Sequence, residues 1–447
     1  MKAAPFSDHP AVRAFHARGE TAIAAPKTLS AAALRQICLE AGADDAGFIE
    51  IARLGIDHER AGIERLLPGA KALIGLVRRM NRQNIRTPAR SIANLEFEHA
   101  GDELNDVARR IVAHCERHGI RAVNPAVGFP MEADRWPEKI WVVSHKLVAV
   151  EAGLGHMGIH RNVIHPRFGN FILLDTVIID AEIDSYSRPL DYNPCLECKL
   201  CVAACPVGAI SPDGYFNFSA CYTHNYREFM GGFVDWVDTI ADSKNSRDYR
   251  NQVTDSETVS MWQSLGFGPN YKAAYCLSVC PAGEDVIGPY LTDRKNFMQD
   301  VVRPLQEKKE TVYVVPGSDA ESHVANRFPN KTAKQVSNGI RLKSIDGFLR
   351  GMRLNFQPNR SKGIAAVYHF TFTGDAERKA TVVIRDQKLE VMEGHSGTPD
   401  FRLTADSQAW LSFLRKDANL LWLLIRAKIR IRGNPQHLLA FSRCFPS

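Results

Sequence analysis

The stretch Cys195-Leu-Glu-Cys198-Lys-Leu-Cys201-Val-Ala-Ala-Cys205-Pro206 is the most specific pattern in the sequence. Three cysteines at C-x2-C-x2-C spacing can wrap one cuboidal iron–sulfur cluster, because thiolates three residues apart on a tight loop converge. Zinc sites instead pair two C-x2-C knuckles that lie far apart in the chain. The run therefore predicts iron–sulfur binding in preference to zinc.

A second cysteine group follows, comprising Cys221 and the segment Cys276-Leu-Ser-Val-Cys280-Pro281. In two-cluster ferredoxins, the cysteine before the proline ligates the other cluster. By this logic the first 4Fe–4S cluster has four thiolate ligands, those of Cys195, Cys198, Cys201 and Cys280. The second cluster has three, those of Cys205, Cys221 and Cys276.

The fourth ligand of the second cluster is missing, because Ala273 stands where a full motif would carry a cysteine. Three explanations stay open. A non-cysteine ligand can serve, with His224 as the nearest candidate, since imidazole replaces thiolate at some iron–sulfur centres; otherwise His224 is a surface histidine. The site can hold a 3Fe–4S cluster, or a 4Fe–4S cluster can leave one iron open to water or substrate.

Composition and charge indicate a globular protein of several domains. With 447 residues, 45% of them hydrophobic and 24% charged, the chain is too long for one ordinary core. The net charge of +6 is small and no Lys/Arg block dominates, so a nucleic-acid partner is not expected.

The sequence contains no apolar signal segment and no stretch long enough to span a membrane. We therefore expect a cytoplasmic protein, in which clustered cysteines bind metal. The other three cysteines, predicted to be buried structural thiols, are Cys38, Cys115 and Cys444.

The chain divides by pattern into an N-terminal arm (1–30) and three domains. Alternating strand and helix signals predict an α/β or α+β domain over 31–190, including a strand at 141–143. The loop-rich cysteine segment predicts a ferredoxin-like double-cluster insert over 191–305, with a polar excursion or lid at 231–265. Residues 325–447 carry period-2 alternation and one helix, which predicts an antiparallel sheet backed by helices in an α+β domain.

The segment Glu151-Ala-Gly-Leu-Gly-His-Met-Gly-Ile-His160, followed by Val163-Ile-His-Pro-Arg-Phe-Gly169, resembles the cobalamin-dependent iron–sulfur reductases. This group contains epoxyqueuosine reductases and reductive dehalogenases, in which a similar segment leads into a strand and then a double-cluster insert. Glycines allow backbone to approach a large planar cofactor closely. The resemblance implies a corrinoid near Gly153, Gly155, His156, Gly158, His160 and Gly169.

One departure from that group concerns the proton donor. In epoxyqueuosine reductases the proposed donor is an aspartate about thirteen residues before the Ala-Gly-Leu-Gly segment, and this chain has Lys139 there. The candidate catalytic residues are therefore Asp134, Glu138 and Lys139, and the alternative is a solvated loop. The departure favours a small apolar substrate over epoxyqueuosine.

The last 120 residues resemble the sterol-carrier-protein-2 family. The pieces that carry the resemblance lie at 380–385, 389–394, 400–406 and 429–434. The resemblance implies a tunnel that holds a lipid or another apolar small molecule. Candidate lining residues, which are otherwise plain core, are Trp410, Phe413, Leu421, Trp422 and Leu424.

These patterns together predict an iron–sulfur oxidoreductase that reduces a small apolar substrate with the help of a corrinoid. Its electrons would come from an external donor such as a ferredoxin, a flavodoxin or a reductase. Two alternatives remain. One is a corrinoid-free 4Fe–4S electron-transfer protein that serves a partner enzyme, and the other is a lipid-binding protein whose cluster is structural or redox-sensing.

Overall fold

The computed structural model describes residues 6–18, 26 and 28–446. Of the predicted N-terminal arm, residues 1–5, 19–25 and 27 lie outside the described residues. The elements of the first part are α1 (Pro10–Arg18), β1 (Thr28–Leu29), α2 (Ala31–Glu40), β2 (Asp45–Glu50), α3 (Asp57–Leu66), β3 (Ala72–Arg79), α4 (Arg82–Arg86), α5 (Arg90–Arg117), β4 (Ala122–Val123), α6 (His145–Glu151), β5 (His156–Met157), β6 (Val163–Ile164), β7 (Ile172–Ile179) and β8 (Glu182–Ile183).

The core of the first part is an antiparallel sheet of four strands in the order β2–β3–β7–β4. Successive side chains of a strand point to opposite faces. Ile74 therefore packs toward α2 and α5 on one face, and Leu73 packs toward α3 and α6 on the other. The α/β fold class predicted for this part is confirmed, as a three-layer arrangement.

The strand predicted at 141–143 is wrong. These residues are irregular and lead directly into α6. Val143 is 1% exposed and packs with the core beneath α6, whereas Trp141 is 46% exposed. The alternation that suggested a strand therefore reflects the burial of one residue ahead of a helix.

The cysteine segment consists of short helices joined by loops. Its elements are α7 (Leu200–Ala204), α8 (Phe218–Asn225), α9 (Gly231–Asp242), α10 (Ser246–Gln252), α11 (Asp255–Phe267), α12 (Tyr275–Ser278), α13 (Gly288–Thr292), α14 (Arg294–Phe297) and α15 (Arg303–Glu307). The predicted excursion at 231–265 is the group α9–α11. Thr254 begins α11 with a capping box, in which its hydroxyl and the Glu257 carboxylate each accept a backbone N–H.

A parallel strand pair follows the cysteine segment and packs against it. β9 (Thr311–Val314) and β10 (Thr332–Gln335) flank α16 (Asp319–Arg327). Val312 and Val314 of β9 share a core with Cys205 and Ala220. Residues 311–335 therefore form a unit with the cysteine segment, and the predicted domain boundary at 325 falls inside α16.

The C-terminal part contains α17 (Ile345–Asn355), β11 (Ala366–Thr373), β12 (Arg378–Arg385), β13 (Lys388–Glu393), β14 (Phe401–Asp406), α18 (Ser407–Leu414), α19 (Leu420–Ile425), β15 (Ile429–Gly433) and α20 (Pro435–Arg443). Its five-stranded sheet has the order β13–β12–β11–β14–β15. The prediction of a wholly antiparallel sheet is wrong, because β11 and β14 are parallel. After the β11–β12–β13 meander, the chain crosses to the free edge of β11 and enters β14 in the direction of β11.

The core of the C-terminal part is rich in aromatic rings. Phe348 of α17 makes edge contacts with Phe370, Phe372 and Trp410 at centroid distances of 5.5–6.1 Å. Trp410 is buried as expected, but the structure contradicts the lining role predicted for Leu421 and Trp422. These side chains are 69% and 50% exposed because α19 packs inward mainly through Leu423.

None of the helices in the described part of the chain combines the length and the apolar character that crossing a bilayer requires.

Candidate iron–sulfur site and its cleft

The first predicted set of cysteines surrounds one space. Cys195, Cys198, Cys201 and Cys280 all line one cavity that is open at its surface end. The loop that carries the first three cysteines coils tightly, with left-handed backbone at Glu197 and Lys199 (φ 48° and 62°). Cys280 arrives from the loop after α12. Residues far apart in the chain thus supply the four thiolates that a cuboidal cluster requires.

Cys205, Cys221 and Cys276 form the second set and lie within electrostatic range of one another. The pKa of the Cys276 thiol is raised to about 12, chiefly by burial and to a smaller extent by the neighbouring Cys205. The Cys205 sulfur accepts the backbone N–H of Ala209 at 3.3 Å. Thiols in such surroundings stay protonated until a metal replaces their protons.

Among the described residues, neither another cysteine nor an available histidine supplies the missing fourth ligand of the second set. Ala273 is 5% exposed, and its N–H bonds to the Asn225 side chain at 3.0 Å. His224 is 1% exposed, so the surface alternative for this residue is wrong. Its Nδ1 accepts the N–H of Tyr313 at 3.3 Å, and within the described residues its Nε2 has no hydrogen-bond partner. Burial lowers the pKa of His224 to about 4, so the ring is neutral. Because Nδ1 accepts a backbone N–H, Nε2 carries the proton and is not available as a metal ligand in this arrangement.

In residues 6–18, 26 and 28–446, no group of three or more His, Cys, Asp or Glu side chains is placed to hold a single metal ion. The ligands of a polynuclear cluster stand farther apart than those of one zinc ion, because the cluster itself fills the space between them.

Two arginines of the α/β domain point toward the cysteines. Arg86 is 9% exposed, stacks on Phe171 and Phe297 at 5.2 Å, and faces Cys280. Arg90 faces Cys276. In the described part of the chain, Nη2 of Arg86 and both Nε and Nη2 of Arg90 are buried without an acceptor. A buried cation without a counter-charge is costly, and a thiolate-ligated cluster would supply an anion beside Arg86, whereas Arg90 also lies near the Glu310 carboxylate.

Lys146, at the start of α6, marks the open side of the second set. Its Nζ donates to the Arg161 carbonyl at 2.9 Å and to Asn162 Oδ1 at 3.1 Å, and Asn162 Nδ2 approaches Cys276 Sγ at 3.8 Å. The Lys146 side chain is reached by solvent. Surrounding protein lowers the pKa of the ammonium by desolvation, while Cys276 and Cys221 raise it. An exposed cation, held by Asn162 and the Arg161 carbonyl, therefore lies beside the second set.

The residues Lys146, Arg86 and Arg90 were missed by sequence reasoning. The only local signal was a His-Lys pair seven residues before the Ala-Gly-Leu-Gly segment. His145 of that pair is used structurally, because its Nδ1 bonds Thr176 Oγ1 and its Nε2 donates to the Ala126 carbonyl, both at 3.0 Å. Asp175 beside it is 1% exposed, and burial raises the pKa of its carboxyl well above the ordinary value.

The three candidate catalytic residues lie on one loop but have different environments. Lys139 pairs with the buried Glu59 at 2.5 Å. Glu138 accepts from Ser344 and pairs with Arg350 of α17, both at 2.7 Å. Asp134 is exposed and, among the described residues, forms no ion pair. Of the three, Asp134 alone is therefore free to serve a substrate.

A run of aromatic rings connects this loop with the second cysteine set. Trp136 stacks on Tyr222 at 6.3 Å, and Phe129 meets Phe229 edge to face at 5.9 Å. Tyr226 contacts Tyr222 at 5.3 Å and Phe229 at 4.8 Å. The pKa of Tyr226 is raised chiefly by burial, and Cys221 and Cys276 also contribute to the increase. The Tyr226 hydroxyl therefore lies near these thiols.

The glycines predicted to hold a corrinoid are used in contacts between protein segments. A Cβ on Gly153 (φ 70°) would meet the carbonyl oxygen of Arg188, and one on Gly169 (φ 64°) would meet that of Ala282. A Cβ on Gly155 or on Gly158 would meet atoms of Ile164 in the β5–β6 hairpin. The glycines therefore permit close packing and do not form an open cradle.

The two predicted corrinoid histidines are also engaged. His160 is 3% exposed; its Nδ1 accepts from the Asn162 N–H, and its Nε2 contacts Asn170 Nδ2, both at 3.1 Å. Burial lowers the pKa of His160 to about 4. His156 contacts the Met157 carbonyl through Nδ1 at 3.2 Å. The residues predicted for the corrinoid thus all make these contacts to protein, and their role toward a corrinoid stays a prediction.

Family comparisons match two separate segments of the chain. Residues 189–211 match the 4Fe-4S binding domain, and residues 352–446 match the SCP-2 sterol transfer family. The first match contains the whole cysteine run from Cys195 to Cys205. The second spans β11–β15 and the helices α18–α20.

The curated relatives are epoxyqueuosine reductases. The protein from Leadbetterella byssophila is 36% identical over 106 residues, which are 21% of this chain and 33% of that protein. The protein from Cyclobacterium marinum is 34% identical over 97 residues, 20% of this chain and 31% of that protein. The chain thus matches about a third of the length of these relatives.

Among solved structures, a catabolic reductive dehalogenase is 17% identical, with 61% of this chain and 34% of that chain covered and a TM-score of 0.36. Epoxyqueuosine reductase from Streptococcus thermophilus is 16% identical, with 61% and 75% covered and a TM-score of 0.32. In its parts, this chain is similar to about a third of the length of the epoxyqueuosine reductases, to the 4Fe-4S binding domain over residues 189–211 and to the SCP-2 sterol transfer family over residues 352–446.

Proposed function

We propose that this protein is an iron–sulfur oxidoreductase that reduces a small apolar substrate in the cleft beside Lys146. The observation that carries the proposal is the position of Lys146, whose ammonium faces Cys221 and Cys276 from a wall that solvent reaches. Bound iron–sulfur clusters transfer single electrons. A substrate in this cleft would lie next to the second cluster and beside a fixed positive charge.

The exposure of the two cysteine sets supports a direction for electron flow. The cavity of the first set opens beside Leu196 and Glu197, which are both exposed. A ferredoxin, a flavodoxin or a reductase could therefore deliver electrons at this surface. The second set adjoins the first through Cys276, which contributes to the raised pKa of Cys201, and it borders the cleft. Electrons would enter at the first cluster and leave at the second.

The aromatic run supports an apolar substrate. Phe129 of the loop is 41% exposed and offers an apolar ring at the end of the run, which favours aromatic or other planar ligands. Asp134 is the proposed proton donor, because Glu138 and Lys139 are held in ion pairs. Lys146 and Asn162 would orient the polar end of the substrate. The fourth ligand of the second cluster would be an exchangeable molecule at an open iron.

A corrinoid in the same cleft is proposed on the sequence resemblance alone. The glycines and His160 contact protein, so no step of the proposed reaction is derived through this cofactor. Cobalt analysis after anaerobic reconstitution with cobalamin decides the point. Retained cobalt at one per chain supports the corrinoid, and its absence leaves the clusters as the direct reductant.

The proposed activity is tested by anaerobic single-turnover kinetics. Protein reduced with dithionite and freed of excess reductant is mixed with planar apolar acceptors, and cluster reoxidation is followed by visible absorption. We expect saturable reoxidation that Asp134→Asn slows and that Asp184→Asn, a surface control, leaves unchanged. Reoxidation only by a partner protein would favour the electron-transfer alternative. Ligand binding without any reoxidation would favour the lipid-binding alternative.

A further inference from the structure

The positive charge of this protein is concentrated at its C-terminal end. Residues 415–447 contain seven basic side chains and one acidic side chain, Asp417. Their net charge is +6, which equals the net charge of the whole chain. The preceding 414 residues are therefore electrically balanced, and any electrostatic attraction to an anionic partner is strongest at this end.

The same end exposes large apolar side chains. On α19, Leu421, Trp422 and Ile425 are 69%, 50% and 77% exposed, and on α20 Leu439 is 67% exposed. α19 is anchored through Leu423, so these residues point outward because of the helix geometry and not because the domain lacks a core. Exposed apolar residues that cluster on one element mark an interaction site.

Basic residues adjoin this apolar face. The Arg426 guanidinium lies 4.2 Å from the centre of the Trp422 ring. Lys428 follows in the turn, with Asp406 as its partner at 3.5 Å, and Arg430 and Arg432 occupy the edge strand β15, which α19 contacts. Among residues that the structure describes, Arg426, Arg430 and Arg432 form no ion pair.

We propose that α19 and the adjoining basic residues dock this protein on an anionic lipid surface. Tryptophan with leucine and isoleucine enters the headgroup region, and arginine beside it contacts lipid phosphates. Each Lys or Arg near an anionic membrane contributes about 1 kcal/mol, so two arginines change partitioning by more than tenfold. This inference is independent of the proposed reductase activity.

An RNA surface fits the observations less well. Phosphate contacts would use the arginines but would leave Leu421, Ile425 and Leu439 exposed, since aliphatic side chains neither bond phosphates nor stack on bases. A membrane satisfies both the charged and the apolar residues.

The test is co-sedimentation of the full cluster-loaded chain with vesicles of phosphatidylcholine, with and without phosphatidylglycerol. We expect at least tenfold stronger partitioning to the anionic vesicles, weakened by salt. Trp422→Ser and the pair Arg430→Gln with Arg432→Gln should each reduce it about tenfold or more. The matched control is Trp262→Ser on α11, where Trp262 is 60% exposed but lies apart from these arginines, and it should have no effect.

Four results would overturn the proposal. Equal partitioning to both kinds of vesicle would show that anionic lipids are not recognised. Unchanged vesicle binding of the α19 and β15 variants would show that the protein does not dock through these elements. Displacement of the protein from vesicles by RNA at lower concentration would identify a nucleic-acid surface. A change from dimer to monomer in Trp422→Ser, seen by sedimentation velocity, would identify an interface between two copies of the chain.

Discussion

Replacing Lys139 with methionine separates a structural role of this residue from a catalytic one. Methionine keeps an unbranched apolar stem but removes the ammonium that lies 2.5 Å from the Glu59 carboxylate. The Glu59 side chain is 4% exposed and that of Lys139 is 38% exposed. The substitution therefore leaves a buried carboxylate without its partner.

The expected loss of stability follows from these exposures. Breaking a buried ion pair by removing one partner costs about 3–5 kcal/mol, whereas exposed pairs contribute about 0.2–1 kcal/mol. Because more than a third of Lys139 is exposed, water screens part of the interaction, and we expect about 2 kcal/mol. The midpoint of thermal unfolding of the α/β domain should fall by about 4–8 °C.

The double variant Lys139→Met with Glu59→Gln tests the cause of that loss. It buries a neutral amide in place of an unpaired charge, so it should recover at least half of the lost stability. Unfolding is followed by circular dichroism under anaerobic conditions, and single-turnover reoxidation is measured on the same samples. If Lys139 is structural, the double variant regains both stability and turnover.

Two results would refute this reasoning. Lys139→Met with a stability within 0.5 kcal/mol of the original protein, a change typical of surface substitutions, would show that the pair contributes nothing. A double variant that is stable but inactive would make Lys139, not Asp134, the proton donor.

Three further predictions concern the clusters and the loop. Ala273→Cys should supply the missing thiolate and raise the iron content to about eight per chain, with loss of any 3Fe–4S electron paramagnetic resonance signal; unchanged iron and spectra would contradict the assignment of the second set. Arg86→Met should lower the reduction potential of the first cluster by about 59 mV in a potentiometric titration, which corresponds to a tenfold lower ratio of reduced to oxidised cluster at a fixed potential. An unchanged potential would show that this guanidinium does not face the cluster. Glu138→Gln should weaken the contact with Arg350 by less than about 1 kcal/mol, because both groups are exposed, while amide exchange in the loop increases measurably.

The features predicted correctly from sequence are those set by residues near one another in the chain. The spacing of Cys195, Cys198 and Cys201 is local, and so is the alternation that marks β11 and β12. The parallel pairing of β11 with β14 was missed because alternation shows which face a residue occupies but not which strand lies beside it.

The features missed depend on contacts between distant residues. Asn162 and Cys276 are 114 residues apart, and Arg86 and Ser278 are 192 residues apart. No spacing rule connects such positions. The packing of the glycine-rich segment was missed for the same reason, since the carbonyl that a Cβ on Gly169 would meet belongs to Ala282 and cannot be read from the local sequence.

The C-terminal domain is joined to the cluster segment by buried polar contacts. Gln357 is 1% exposed, and its Oε1 accepts from Asn217 Nδ2 at 3.1 Å and from the Asp319 N–H at 3.0 Å. Tyr215 donates to the Phe356 carbonyl at 2.9 Å. Separating the two parts would leave these groups unpaired unless water replaced each bond, and a buried unpaired group costs about 1–3 kcal/mol.

Glu138 adds a second connection, between the loop at the cleft and Ser344 and Arg350 of α17. The domain proposed to hold an apolar ligand therefore contacts both the segment that carries the cysteines and the loop that carries Asp134. A displacement of α17, whether caused by a ligand or by docking of α19 on a membrane, would act on the loop through Glu138. The contacts of Glu138 thus connect the loop that carries Asp134 with α17, and they occupy the Glu138 carboxylate with a hydroxyl and a guanidinium group.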